Sequence, residues 1–431
     1  MRRLVAATVI GNTIEFYDFS VYGTLTAIVF SKIFFPQSDP SVATMLVLGT
    51  FAVGFLSRPL GGVILGHLGD RVGRKPTLIL SLLLMGGATA LMGLLPSYET
   101  AGFAAPMMLV GLRFLQGFGI GGEWGGAVTL MIESAPMHRR GIYGAAVQTG
   151  SGLGIILSTL TVTVLTTVLT AEQLLAWGWR IPLLLSVVLI VVGLVIRSRI
   201  EESPEFEQVL AGKKVVRVPV VETLRRHWRT VLIAIGMYIA VAAFGFTQGV
   251  FFIGHLVNEI GLPRPTATEA NLIAAVFYLL FTLVGGLLSD RLGRIQAYVL
   301  GGLVLIPAPF IMFAAGDTGS VPVIFAAMAV VGVLSGLAYG AQAALFFELF
   351  PAKLRYTGIS LGFQTAAVLG GGLTPIFAAL LYQSSGSTVP VSLYITALAI
   401  LMIGSSLLAR PVLREEARRA EDVSDLPPVA A

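Results

Sequence analysis

The 431-residue sequence contains no cysteine, only four histidines, and charged residues at just 12% of positions. The lack of cysteine excludes disulfides, thiol nucleophiles and Cys-ligated metals. The histidines, at 67, 138, 227 and 255, are too scattered to form a ligand set. No G-x-x-x-x-G-K-[ST] motif occurs, so nothing supports ATP as a driving force. No cofactor is expected, and an ion gradient is the remaining energy source. Soluble domains carry about 25% charged residues. Here 55% of residues are hydrophobic and the mean hydropathy is +0.87. Polar surface is too scarce to clothe two or three soluble domains, so lipid must be the solvent for most of the chain. The net charge of +5 is read through its location along a membrane chain rather than as a nucleic-acid footprint.

Apolar runs fall at 4–35, 41–66, 77–95, 104–132, 140–169 and 177–197, and again at 229–257, 269–288, 296–315, 320–347, 356–383 and 388–409. Twelve spans of about 20 residues require roughly 240–300 positions, which the length accommodates. Arg2 and Arg3 precede an apolar stretch but no A-x-A-type site follows, so this stretch is read as the first span and not as a cleaved leader. The pattern predicts an all-α membrane protein. Its organisation is a six-helix half (1–199), a cytosolic linker containing a short helix (200–228), a second six-helix half (229–410) and a cytosolic tail (411–431). With the N-terminus placed inside, 23 of the 28 Lys and Arg fall on the cytosolic side, including Arg197, Lys213, Lys214 and Arg217. Only Lys32, Arg180 and Arg264 fall outside. This bias predicts cytosolic termini and an even number of spans in the cytoplasmic membrane.

The two sets repeat. "GHLGDRVGRK" (66–75) returns as "GLLSDRLGR" (286–294), which places Asp70 and Asp290 220 residues apart. "ESAPMHRR" returns as "ELFPAKLR", with Glu133 and Glu348 215 apart, and Gln148 and Gln364 are 216 apart. Both copies of each landmark lie on the same predicted side, the mark of a parallel repeat whose halves rock about a central site.

Two six-span halves, each with a D-R-x-G-R turn, resemble the major facilitator superfamily. "GNTIEFYDFSVYG" (11–23), "FLSRPLGGVILGHLGDRVGRK" (55–75), "RFLQGFGIGGEWGGA" (113–127), "WGWRIP" (177–182) and "EESPEFE" (201–207) resemble its metabolite:proton symporter family. The resemblance implies twelve helices, alternating access, no cofactor and a shikimate-, α-ketoglutarate-, citrate- or proline/betaine-type substrate. Osmosensing members carry a long C-terminal coiled coil, whereas here about 20 residues follow the last span without sustained heptads.

Charges at bilayer depth are costly and usually functional. Five are predicted, all in the first half: Glu15, Asp18, Arg58, Arg113 and Glu123. Glu15, Asp18 and Tyr22 share a helical face by their i, i+3, i+7 spacing. Arg58 lies twelve residues before Asp70, about 18 Å into the membrane. Two cations and two carboxylates are therefore expected to meet near the centre. An anionic substrate that captured Arg58 or Arg113 would free Glu15 or Asp18 to accept a proton, which links the two bindings. The same charges could instead form a static pair. Glu123, in a glycine-rich stretch, reads equally as a proton site or a packed, hydrogen-bonded acid.

Gln116, Gln148, Gln248, Tyr278, Tyr339, Gln342 and Gln364 are candidate substrate contacts, with helix–helix hydrogen bonding as the alternative. Gln148 and Gln364 are expected to face each other across the cavity. At the cytosolic side Asp70 is suited to a helix start. Arg71 and Arg74 are expected to pair with Glu133, and Arg291 and Arg294 with Glu348, while Arg355 belongs to the same gate. The expected activity is proton-coupled import of a small mono- or dicarboxylate by a monomer. The alternatives are an efflux carrier or proton antiporter of the same fold, or a symporter of a zwitterion. Linker and tail are too short for a signalling receptor, and no catalytic constellation marks an enzyme.

Overall fold

The computed structural model describes residues 1–37, 39–211 and 218–424. The linker cations Lys213, Lys214 and Arg217 lie outside the described residues. Among these residues every regular element is helical. Twelve long helices follow the predicted apolar runs. The first half holds α1 (Arg2–Leu25, continued by a π turn and a short helix to Phe34), α2 (Pro40–Val72), α3 (Arg74–Met92), α4 (Ala104–Glu133), α5 (Arg140–Val168) and α6 (Arg180–Ser198). The second half holds α7 (Trp228–Asn258), α8 (Arg264–Leu292), α9 (Arg294–Asp317), α10 (Val321–Glu348), α11 (Ala352–Ser385) and α12 (Val389–Ser424). Eleven helices among the described residues are long and apolar enough to cross a membrane. The remaining one, α1, is diluted by Asn12, Glu15 and Asp18.

Packing repeats with the sequence. In the first half α1 lies on α5, α2 on α4, and α3 on α6; in the second, α7 lies on α11, α8 on α10, and α9 on α12. Two further pairs, α5 with α8 and α11 with α2, join the halves and are themselves repeat-related. The seam between the halves is thus lined by matching helices. Within the first half glycines allow close approach: a Cβ at Gly117 or Gly121 of α4 would run into the α2 backbone at Gly54 and Arg58.

Three expectations change. The D-R-x-G-R segment is not a loop, because α2 runs through Asp70 and α3 begins at Arg74, with Gly73 alone between them at φ 130°. Gly293 repeats this at φ 94°, a conformation that favours glycine. The linker holds two helices rather than one, Pro204–Ala211 and Pro219–Arg226. The expected tail continues α12 to Ser424, with Pro411 inside the helix.

Candidate functional site

The membrane interior of the first half holds six buried charges rather than five. The sixth is Arg197, which sits two residues before Arg199 and reads in sequence as one more cytosolic positive. Its side chain turns inward and is 2% exposed. It donates to Leu78 O at 2.6 Å and grips Glu123 through both terminal nitrogens, Nη1 at 3.0 Å and Nη2 more closely. Glu123 is therefore the packed, bonded acid of the two readings. Gly11 makes room for this pair, since a Cβ there would strike both side chains.

The four charges expected to meet do not pair directly with one another. Asp18, fully buried, accepts from Ser186 Oγ at 2.5 Å and from Thr89 Oγ1 at 2.9 Å. Gln116 Nε2 donates to Thr89 Oγ1 at 2.7 Å, and Gln116 Oε1 accepts from Arg113 Nη1. Asp18 and Arg113 are thus joined through two neutral side chains inside the first half. The Arg113 guanidinium lies over the Tyr22 ring at 3.9 Å, and the Tyr22 hydroxyl is 2.5 Å from Thr50 Oγ1.

Arg58 and Glu15 are arranged differently. The Arg58 guanidinium stacks on Phe19 and Phe55 at 4.7 and 4.6 Å, and among the described residues it forms no ion pair or hydrogen bond. It is 8% exposed and Glu15 3%. Glu15 Oε2 is buried without a partner. Phe19 and Phe55 in turn meet Phe246 of the second half at 6.0 and 5.3 Å, which sets Arg58 at the seam.

The second half meets this couple with neutral groups. Tyr339 Oη, both amide atoms of Gln342 and Gln364 Oε1 are buried without partners. Buried polar atoms are ordinarily satisfied within the protein or by water. Beside these groups Trp124, Phe363 and Tyr238 stack in series, with centroids 3.8 and 4.1 Å apart, and Tyr278 stacks on Tyr339 at 5.6 Å. Tyr278 also lies 3.3 Å from Ser151 Oγ. Tyr238 and Phe363 escape sequence reading because an aromatic residue in an apolar helix gives no signal of its own.

The repeat-related glutamines do not simply face each other. Gln148 accepts from Trp124 Nε1 at 3.1 Å and donates to Tyr339 O of the opposite half at 2.5 Å. Gln364 donates back to Ile120 O and Gly121 O at 3.2 and 3.3 Å. Gln248 is half-buried and donates to Asn271 Oδ1 at 3.1 Å, and no described contact joins it to the Arg58 group.

The end carrying the linker is closed by two crossed latches. Asp70 of α2 accepts from Tyr356 N (3.2 Å) and Thr357 N (2.8 Å) at a helix start in the other half. Asp290 of α8 accepts from Gly141 N (2.7 Å) and Ile142 N (2.9 Å) at the start of α5. In the first latch Arg74 contacts Asp70 at 3.4 Å and Glu133 at 3.3 Å, and Arg355 reaches Glu133 at 3.1 Å. In the second Arg294 holds Asp290 at 2.6 Å and Glu348 at 3.0 Å. Arg71 and Arg291, expected in these pairs, are exposed and form no ion pair among the described residues. The glycine turn at Gly73, and at Gly293 in the second copy, sets the first residue of the next helix, Arg74 or Arg294, against the aspartate. Glu205 of the linker bridges Arg140 at 2.7 Å and Arg355 at 2.5 Å. Burial favours its neutral form, but Arg355 and Arg140 outweigh this and hold its carboxyl below the usual range.

Among the described residues no group of three His, Asp or Glu is placed to hold a metal. A family profile described as the Major Facilitator Superfamily matches residues 8–375 and 250–429. The chain is 40% identical over 415 residues to the shikimate transporter of Escherichia coli strain K12, covering 95% of this chain and 94% of that one. It is 39% identical to the inner membrane metabolite transport protein YhjE of the same strain, covering 94% and 93%. In fold it resembles the proton:xylose symporter XylE bound to a bromodeoxyglucose, with TM-score 0.74 and 16% identity over 95% of both chains. A duplicated twelve-helix bundle with a polar seam, together with these likenesses, establishes the chain as a multi-pass membrane transporter, and not an enzyme, belonging to the Major Facilitator Superfamily.

Proposed function

We propose that the protein is a proton-coupled symporter that brings a small organic acid inward across the cytoplasmic membrane. The observation that carries this reading is the Arg58–Glu15 couple. A buried cation and a buried acid lie at the seam, neither held by a protein partner. An unpaired charge at bilayer depth is expensive unless it serves a ligand or a proton. Arginine remains charged and offers a carboxylate two parallel donors. Capture of Arg58 by the cargo withdraws the cation that stabilises ionised Glu15, so cargo and proton favour each other. Asp18, Arg113 and Glu123 form the surrounding charge framework. Gln116, Gln148, Tyr278, Tyr339, Gln342 and Gln364 are neutral wall groups of the same region, with Tyr22 beneath Arg113.

The positive bias places both termini and the linker end in the cytosol. The bodies 1–199 and 229–410 rock against each other about the linker 200–228. The latches at Asp70 and Asp290 then hold the cytosolic side shut, so the form described faces outward or is occluded. Similarity to a shikimate transporter supports an organic acid as cargo.

The test is uptake of labelled organic acids into proteoliposomes under an imposed pH gradient. Inward accumulation that rises with external acidity and collapses with an uncoupler is expected. Uptake indifferent to both refutes proton coupling. Acid-driven exit of cargo in place of entry establishes an antiporter.

A further inference from the structure

Resting on that reading, we infer that the cargo carries a single carboxylate together with hydroxyl groups, that Arg58 alone receives the carboxylate, and that Glu15 takes one accompanying proton. Besides Arg74 of the latch, three arginines of the first half are buried: Arg58, Arg113 and Arg197. Arg197 is spent on Glu123 and Leu78 O. Arg113 is tied to Asp18 through Gln116 and Thr89, and its ring face is covered by Tyr22. Its Nε and Nη2 also lack partners. However, Nε is packed so closely on Gly54 that even a Cβ there would strike it, and Nη1 is taken by Gln116, which leaves no adjacent pair of donors for bidentate capture. Arg58 differs on each count. Phe19 and Phe55, perpendicular to each other with centroids 5.3 Å apart, flank its guanidinium from one side. Among the described residues none of its N–H groups has a hydrogen-bond partner, so a pair of them is free for a bidentate carboxylate.

The opposite wall fixes the rest of the cargo. Among the described residues the partnerless buried polar atoms of α10 and α11 in the second half are neutral, Tyr339 Oη, the Gln342 amide and Gln364 Oε1 among them. Such groups bond hydroxyls well but cannot offset a second carboxylate. A quaternary ammonium would need open aromatic faces. Here both faces of Phe363, and one face each of Trp124 and Tyr238, are taken up by their mutual stacking.

The acids divide in the same way. Both oxygens of Asp18 accept hydroxyl bonds, and Glu123 is gripped by Arg197. Glu15 keeps Oε2 free and lies one helical turn from Phe19, against which Arg58 rests. The six buried charges sum to zero. One cargo carboxylate leaves the seam at minus one, and one proton on Glu15 Oε2 returns it to zero. The loaded carrier is then electroneutral, and the proton leaves Glu15 for cytosolic water once the carboxylate has released Arg58.

The experiment uses the purified full chain in proteoliposomes, with labelled shikimate as the hydroxylated monocarboxylate probe and unlabelled quinate, succinate, citrate and glycine betaine as competitors. Quinate is expected to compete comparably with shikimate. Succinate, citrate and betaine should be weaker by about a hundred-fold, the cost of leaving a charge unmatched in the seam. Uptake should follow the pH gradient and ignore a potassium–valinomycin potential. Glu15→Gln should retain counterflow, which reports a folded carrier, while losing accumulation driven by the pH gradient. Asp18→Asn, which unbalances the framework, should slow uptake but leave its response to the pH gradient in place.

Succinate competing as well as quinate, with proton coupling intact, overturns the single-carboxylate inference and leaves the organic-acid reading standing. Uptake that responds to potential overturns the electroneutral balance. Loss of pH-driven accumulation in Asp18→Asn but not in Glu15→Gln overturns the proton assignment. Failure of every acid to enter, while betaine does, overturns the organic-acid reading itself.

Discussion

The two halves share one scaffold but divide the chemistry unequally. At bilayer depth the first holds Glu15, Asp18, Arg58, Arg113, Glu123 and Arg197, whereas the second faces them with Gln342, Gln364, Tyr238 and Tyr339. The latches differ too. Asp70, Arg74 and Glu133 have no exposed side-chain surface, whereas Asp290, Arg294 and Glu348 retain 10%, 15% and 33%. Helix pairing is therefore what duplication conserved, because ridge-and-groove packing and seam geometry constrain both copies alike. Charge is a local matter. Each buried ion needs its own partner, so three acid–base couples gathered in one half can compensate one another. They do so to three degrees: Glu123–Arg197 directly, Asp18–Arg113 through neutral side chains, and Glu15–Arg58 without protein contact.

This gradation is sharpened most by removing arginines one at a time. Arg197→Met strands Glu123 in the interior and should cost about 3–5 kcal/mol of stability. Glu123→Gln with Arg197→Met should recover most of that. Arg58→Met breaks no hydrogen bond and forfeits chiefly its two aromatic contacts, about 1 kcal/mol, yet it should abolish acid uptake. Unfolding in mild detergent, with uptake alongside, measures both. Equal destabilisation by Arg58→Met and Arg197→Met would erase the distinction between a structural couple and an open one.

The sequence-level reading succeeds where a residue contradicts its surroundings. Glu15 and Asp18 stand out in an apolar run, and the hydropathy that isolates them also outlines twelve helices. Arg197 does not stand out, because at a helix end beside Arg199 a cation belongs equally to cytosol or interior. Only packing shows its stem turning inward, the reverse of ordinary snorkelling. Spacing places Glu15 and Asp18 on one face, but the three-residue offset is wide enough for neighbouring helices to claim them separately. Asp18 meets Thr89 and Ser186 of α3 and α6, while Glu15 lies one turn from Phe19 at the seam. Arg74 rather than Arg71 pairs with Glu133 because the chain turns at Gly73 and brings the first residue of α3 inward, while Arg71 stays exposed at the end of α2.

The latches offer an intermediate effect. Asp70→Ala removes two charge-assisted bonds to the other half, each worth about 1.5–3 kcal/mol, from a dry site. Asp290→Ala removes an equivalent pair from a wetter one. Both should shift the population toward cytosolic opening, Asp70→Ala more. Because the chain has no cysteine, Ser360→Cys on the α2–α11 seam and Ala145→Cys on the α5–α8 seam can be labelled without background. Both positions are buried in the closed form, so maleimide reactivity reports opening. Faster labelling of both in Asp290→Ala than in Asp70→Ala would reverse the ranking of the two copies.

The smallest effect belongs to the linker, which joins the halves without belonging to either. Glu205 holds Arg140 of the first half and Arg355 of the second. Its carboxyl lies below the usual range, so ionised Glu205 stabilises the closed arrangement. That contribution is complete above the ordinary carboxylate value of about 4.3, and it is lost as pH falls through the lower folded value. Its side chain is 27% exposed, and screening limits the contribution to about 1 kcal/mol. The stability gap between the native chain and Glu205→Gln, followed by thermal unfolding, should stay level from about pH 7 to 5 and close below about pH 4. A gap that instead widens on acidification would mean the linker carboxylate opposes closure and that the latches alone hold the halves together.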